Sequence, residues 1–326
     1  MQLSTETINR AAAATRFQPD TLEKVARLLS VLDGLRSHPF LKTRLALKGG
    51  TALNLFLLHV PRLSVDVDLN YIGGADLETM RSERPQVEQA VKAVCQRDGL
   101  SVRRTPSDHA GGKWRLGFTS PRGGTGTLEL DVNFTLRTPL WPVEVRDSRP
   151  VGPFKATGIA VLDRHELAAG KLAALMARGA SRDIFDAREM LRLGGLDRDR
   201  LRLGFVVYGG MNRKDWRTVS VEDVAISGEE ARRFLVPVLR SDLAPSKAEL
   251  SRWTKDLVEE TRSLLSSVLP LTDAESEFIE RLNGRGEITP ELLTSDERLQ
   301  VILREHPGLR WKAVNVRQHL ELSAPG

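Results

Sequence analysis

Asp66 and Asp68 are separated by a single valine in Ser64-Val65-Asp66-Val67-Asp68-Leu69-Asn70-Tyr71, where polar and apolar residues alternate strictly. On a strand, alternate side chains share a face, so the two carboxylates emerge side by side. Close carboxylates repel unless a cation lies between them. Mg²⁺ takes carboxylate oxygens, keeps several waters and bridges to substrate phosphates. Asp is poorly suited to strands, so two of them in an apolar run need a reason. The alternative is a half-exposed strand with a polar outer face.

Upstream, Lys48-Gly49-Gly50-Thr51 precedes Ala52, Leu53, Leu55, Phe56 and Leu58. This reads as a glycine turn entering a short buried helix, with Thr51 as its N-cap. A helix start offers unpaired N–H groups and the positive end of the dipole, and glycines let a phosphate approach the backbone. Gly49, Gly50 and Thr51 are therefore candidate phosphate contacts. Together with the acidic strand, the turn could hold a nucleoside triphosphate and its Mg²⁺.

A third carboxylate fits the same plan. Thr127 to Phe134 alternates again, with Leu128, Leu130, Val132 and Phe134 on the apolar face and Glu129 and Asp131 on the polar one. If this strand pairs beside the first, Asp131 completes a three-carboxylate metal site, with Glu129 as the rival. One carboxylate would act on an attacking hydroxyl, while metal stabilises the phosphorus centre and the pyrophosphate leaving group. Ser64 shares the face of Asp66 and can hydrogen-bond a phosphate or serve as a strand-edge hydroxyl. Arg62 contacts phosphate or flanks the strand.

The elements around these residues are readable in outline. Pro19 to His38 is a helix expected to pack on a sheet, and 76–98 is another. Strands are expected at 100–104 and 114–118, with turns at 107–112 and 121–126. The stretch 138–153, rich in proline and charge, marks a transition. Asp163 to Arg178 is an amphipathic helix with Asp163 as N-cap. Its Lys171 lies beside the apolar face, where a lysine stem can pack while its head reaches water. Arg178, Arg182, Asp183 and Asp186 open the next helix. Asp183 and Asp186, three apart, share a face. They can orient Lys171 or, through an Arg–Asp pair, bind phosphate. Val206 to Trp216 reads as a loop broken at Gly209-Gly210, followed by helices at 246–269 and 273–283. The basic tail carries Arg304, Arg310, Trp311, Lys312, Arg317 and His319.

Taken together, Lys-Gly-Gly-Thr-Ala-Leu, Arg62-x-Ser-x-Asp-x-Asp-Leu, the helical Lys171 and Arg182-Asp183-x-x-Asp186 resemble the AbiEii-type nucleotidyltransferase toxins of the DNA polymerase β-like superfamily. The resemblance runs from about Leu45 to Leu193 and is carried by four short patches. It implies an α/β fold: a mixed nucleotidyltransferase sheet with flanking helices over 1–155, then a mainly helical domain over 156–326 that contributes Lys171, Asp183 and Asp186 to the cleft. It implies a lysine near the nucleotide at Lys48, a lysine aimed at the triphosphate at Lys171, and an active-site role for the segment from Arg178 to Asp186. It further implies a toxin of a bacterial toxin–antitoxin or phage-defence pair. That toxin would transfer a nucleotide from an NTP to the 3′ end of tRNA, with a cognate AbiEi-type antitoxin.

Composition sets the limits. At 326 residues the chain can bury a sizeable core and form two domains. No apolar run reaches membrane-span length, and the first residues form no signal peptide. The single cysteine, Cys95, excludes an internal disulfide and fits a reducing cytoplasm. The six histidines show no zinc spacing. The net charge is +5, carried by 37 Arg and 11 Lys. GC-rich coding accounts for such a bias, as does affinity for polyanions such as RNA.

Overall fold

Strong alternation in the first half of the chain produces a seven-stranded mixed sheet. The computed structural model describes residues 3–104 and 111–323. Helices α1 (Thr5–Thr15) and α2 (Pro19–Ser37) lead into β1 (Leu45–Lys48) and α3 (Gly49–Ala52), which continues as a wider turn over Leu53–Leu57. β2 (Asp66–Tyr71), α4 (Leu77–Arg97), β3 (Ser101–Arg104), β4 (Gly111–Thr119) and β5 (Thr125–Asn133) follow. β6 (Glu144–Arg146) and β7 (Ile159–Val161) complete the sheet, whose order is β3-β4-β5-β2-β1-β7-β6. β2 pairs with β5 in parallel and with β1 antiparallel.

The apolar alternates, Val67, Leu69, Leu130, Val132, Trp114 and Leu116, are all buried. Helix α2 packs on β5 and β7 and against α4. It buries Leu22, Val25, Ala26, Leu28, Leu29, Leu32 and Leu35, an i, i+3/i+4 stripe. Asp76 caps α4 by accepting from the Thr79 N–H at 2.7 Å.

The chain forms two compact units. The first is Met1–Arg137, Pro142–Asp163 and Glu229–Leu250, and holds the sheet. The second is Thr138–Trp141, Arg164–Gly228 and Ser251–Gly326. It is helical: α5 (Arg164–Arg178), α6 (Ser181–Leu193), α7 (Arg198–Gly210), most of α9 (Leu250–Leu264), α10 (Asp273–Arg285), α11 (Glu297–Glu305) and α12 (Pro307–Ser323). A single turn, α8 (Gly228–Glu230), precedes the return of the chain to the first unit. Among the described residues, no helix is long and apolar enough to cross a membrane.

Three local expectations change. The strand expected from Ser64 begins at Asp66, because Arg62 instead forms an isolated bridge to Leu239. The expected loop at Gly209-Gly210 is the last turn of α7. A β-carbon on Gly209 would lie 2.0 Å from the Trp216 indole, so this glycine is a seat for a tryptophan and not a break. Of the turn expected at 107–112, residues 107–110 lie outside the described residues, while Gly111 and Gly112 begin β4.

Candidate active site

Strand register assembles a row of charge on one face of the sheet. Lys48 on β1 is the direct neighbour of Asp68 on β2. Asp68 neighbours Asp131 on β5, and Asp131 neighbours Lys113 on β4. Directly opposed residues present side chains on the same face, so the row reads Lys48–Asp68–Asp131–Lys113. A second row lies beside it: Asp66 neighbours Glu129, and Glu129 neighbours Arg115. Asp66, Asp68, Glu129 and Asp131 are all half-buried.

The two rivals for third carboxylate differ in their partners. Glu129 accepts a hydrogen bond from Lys113 Nζ at 2.8 Å, and Arg115 lies 3.6 Å away. Lys113 and then Arg115 hold the Glu129 carboxyl below its ordinary range. Glu129, and behind it Asp66 and Asp68, raise Lys113 above the usual lysine value. Asp131 has no hydrogen bond or ion pair with another described side chain, which leaves its oxygens for a ligand. Lys113 and Arg115 were not singled out from the sequence. The available signal was two cations spaced by two on a strand flanking the acidic one, but it means nothing until the pairing partner is known.

The glycine turn abuts the same row. Gly49 has φ +73°, a left-handed conformation that only glycine takes without strain. A β-carbon there would lie 2.3 Å from Asp68 Oδ2. One on Gly50 would lie 2.9 Å from Ser64 Oγ and 3.1 Å from an Arg62 guanidinium nitrogen. The two glycines are thus the places where the backbone meets the site residues. Ser64 and Arg62 are buried, and Arg62 donates to the Leu63 carbonyl at 2.9 Å; both stand behind the turn.

Thr51 is not the N-cap. Gly49 begins the helix after Lys48, which places Thr51 inside it. Thr51 is buried, and its hydroxyl donates to the Asp66 carbonyl at 2.5 Å, tying the helix to the acidic strand.

In the second unit, Lys171 is buried between two carboxylates. Its Nζ is 2.9 Å from Asp183 Oδ1 and 2.9 Å from Asp186 Oδ2. Arg178 Nε also donates to Asp183, at 2.5 Å. Burial alone would raise the Asp183 carboxyl; Lys171 and Arg178 overcome that and hold it below its ordinary value. The spacing of Asp183 and Asp186 on one helix face therefore serves one ammonium. Arg182 is half-buried and pairs with no described side chain.

The oxygen donors of Asp66, Asp68 and Asp131 suit Mg²⁺, which is usually held by one or two carboxylates together with substrate phosphates. Among the described residues, no three His, Cys, Asp or Glu side chains form a ready-made metal cluster.

Comparison with known proteins bears on the fold and the family. No curated protein matches the chain. MenT4, a nucleotidyltransferase toxin from Mycobacterium tuberculosis H37Rv, shares its fold with a TM-score of 0.63 at 20% identity. The match covers 97% of this chain and 100% of that one. Residues 30–312 match the family described as nucleotidyl transferase AbiEii toxin, type IV toxin–antitoxin system. The chain is a member of the AbiEii family of nucleotidyltransferase toxins.

Proposed function

We propose that the enzyme is Mg²⁺-dependent and transfers a nucleoside monophosphate from an NTP to the 3′-terminal hydroxyl of tRNA. The observation that carries the reading is the row Lys48–Asp68–Asp131–Lys113, which sets carboxylates for a metal between cations for phosphate. Asp66 and Asp68 would hold the metal, which when bound neutralises the triphosphate and the departing pyrophosphate.

Asp131 takes the proton of the acceptor hydroxyl or shares the metal; among the described residues it is Glu129, not Asp131, that is bonded to a neighbouring side chain, which favours Asp131 for either role. The acceptor oxygen bonds to the α-phosphorus, and the bond from that phosphorus to the bridging oxygen breaks. Pyrophosphate leaves with the electron pair. The N–H groups at Gly49 and Gly50 receive phosphate oxygens, and Lys48, Lys113 and Arg115 offset triphosphate charge. Thr51 contributes through its backbone. Arg62 and Ser64 brace Gly50. In the second unit, Asp183 and Asp186 fix the Lys171 ammonium, with Arg178 holding Asp183.

The tRNA acceptor is what the family resemblance implies, and a net charge of +5 is compatible with a polyanionic acceptor. Esterifying the original terminal hydroxyl in a phosphodiester would block aminoacylation and translation in the bacterial cytoplasm. An AbiEi-type antitoxin would restrain it in a phage-defence setting. The test is label transfer from each of the four NTPs to total bacterial tRNA with Mg²⁺. Labelled 3′ ends identify the acceptor and the nucleotide. Active protein that labels protein or small-molecule hydroxyls but no tRNA overturns the acceptor assignment.

A further inference from the structure

Away from the carboxylate row, the first unit contains a cavity of about 440 Å³ whose lining includes Arg16, His59, Val60, Arg149, Arg240 and Asp242. Its walls come from four stretches distant in sequence, joined by backbone hydrogen bonds. The Arg149 N–H donates to the Leu55 carbonyl at 2.7 Å, and the Arg240 N–H to Pro61 at 3.1 Å. The Ser241 N–H donates to the Arg16 carbonyl at 2.9 Å. The backbone of each arginine is therefore itself a link in the frame, and the three guanidiniums start from fixed points.

The charge is unbalanced. Asp242 accepts from Arg240 Nε at 2.7 Å and lies 3.8 Å from Arg16, so it aligns two arginines. Arg149 has no ion pair with a described residue. Three arginines against this one acid leave an excess of two positive charges, with exposed His59 beside them. Planar guanidiniums grip phosphate oxygens in pairs.

The backbone singles out the same place. Val60 (φ 53°) has left-handed backbone and lines this cavity, as does Arg16 (φ 62°), whose left-handed turn caps the end of α1 with its N–H on the Ala12 carbonyl. Val60 is β-branched and precedes Pro61, which makes the conformation costly. Such strain persists only where surrounding structure enforces it, and it concentrates at ligand sites.

The helix that begins at the glycine turn beside Asp68 ends just before His59. From Gly49 to Leu57 it spans about 13 Å at ~1.5 Å per residue. That is about four stacked nucleotides at roughly 3.4 Å each.

We infer that this cavity binds backbone phosphates of a polynucleotide, which in our reading is the acceptor whose terminal hydroxyl lies at the carboxylate row. The identity of that polynucleotide as acceptor rests on the proposed function; the binding site does not. The test is fluorescence anisotropy of labelled bacterial tRNA against the full-length protein over a salt series. Wild type is compared with Arg149→Ala/Arg240→Ala and with Arg149→Lys/Arg240→Lys, with MgNTP binding by calorimetry as the control for folding.

The alanine pair should weaken tRNA binding at least about tenfold and reduce the log–log salt slope by roughly two, while MgNTP binding is unchanged. The lysine pair should keep the slope. Wild-type affinity and slope in the alanine pair, or no salt-dependent tRNA binding by wild type, would overturn the inference. Label transfer run in parallel separates the two claims. Labelled tRNA with an alanine pair that binds normally removes the cavity alone. Cavity-dependent binding without 3′ labelling removes the tRNA acceptor and leaves the cavity.

Discussion

Gly49 and Asp68 are in such close register that a β-carbon on the glycine would lie 2.3 Å from Oδ2 of the aspartate. The glycine also has φ +73°. Gly49→Ala therefore carries two costs. The left-handed backbone alone is worth roughly 1–2 kcal/mol for a residue with a β-carbon, and Asp68 must move. The expected result is a lower urea midpoint together with a loss of transfer activity larger than the loss of stability explains. Unchanged activity in a folded variant would separate Asp68 from the chemistry.

Asp131 and Glu129 share a strand face but differ in their partners, and this predicts different sensitivities. Asp131→Asn should reduce the rate of nucleotide transfer by about 10²–10⁴-fold, the range expected for a lost general base. Glu129→Gln removes a carboxylate already bonded to Lys113, and should cost less than about tenfold. Single-turnover label transfer with saturating NTP measures both. The reverse ranking would make Glu129 the third carboxylate.

The Lys171 cluster predicts a stability effect. Lys171→Ala leaves Asp183 and Asp186 buried without their ammonium, and should destabilise the second unit by roughly 3–5 kcal/mol. In the wild type, Asp183 is held below its unfolded value once the raising effect of burial is overcome by Lys171 and Arg178. Its contribution is fully present above the unfolded aspartate pKa of about 3.9 and is lost as pH falls through the lower folded value. Without Lys171 the burial effect is less opposed, and acid sensitivity should begin at higher pH. Denaturant melts across an acid pH series check both statements.

Cys95 is fully buried, and burial, followed by the nearby Asp98 charge, pushes its thiol up to about 12. The thiolate is the reactive form. A chromogenic disulfide reagent should therefore react with this cysteine only as fast as the first unit opens, and immediately in denaturant. Rapid labelling of the native protein would contradict the packing around α4.

The carboxylates were legible because strict alternation fixes which side chains share a face. That Asp66 shares a face with Asp68, and Glu129 with Asp131, needed only that pattern; the mixed sheet with flanking helices was implied by the family resemblance. Register was not legible. That Asp68 sits beside Asp131, and Asp131 beside Lys113, depends on pairing between strands far apart in sequence, so Lys113 and Arg115 went unnoticed. Capping propensity puts Thr51 at the N-cap, but the N-cap is Lys48, three residues earlier, and the helix starts on glycines and takes the threonine inside. Gly209-Gly210 looked like a break because glycine weakens helices. Contact with Trp216 overrides that local preference. The return of Glu229–Leu250 to the first unit left no local signature, and with it the position of Arg240.

In the proposed function, the carboxylate pair on β2 supports nucleotide transfer. The most direct test of that role is Mg²⁺-dependent pyrophosphate release by wild type and by Asp66→Asn and Asp68→Asn, with thermal melting to confirm folding. Wild type should release pyrophosphate only with metal and acceptor present, and each folded variant should lose at least about a hundredfold. Wild-type release by either folded variant would contradict it.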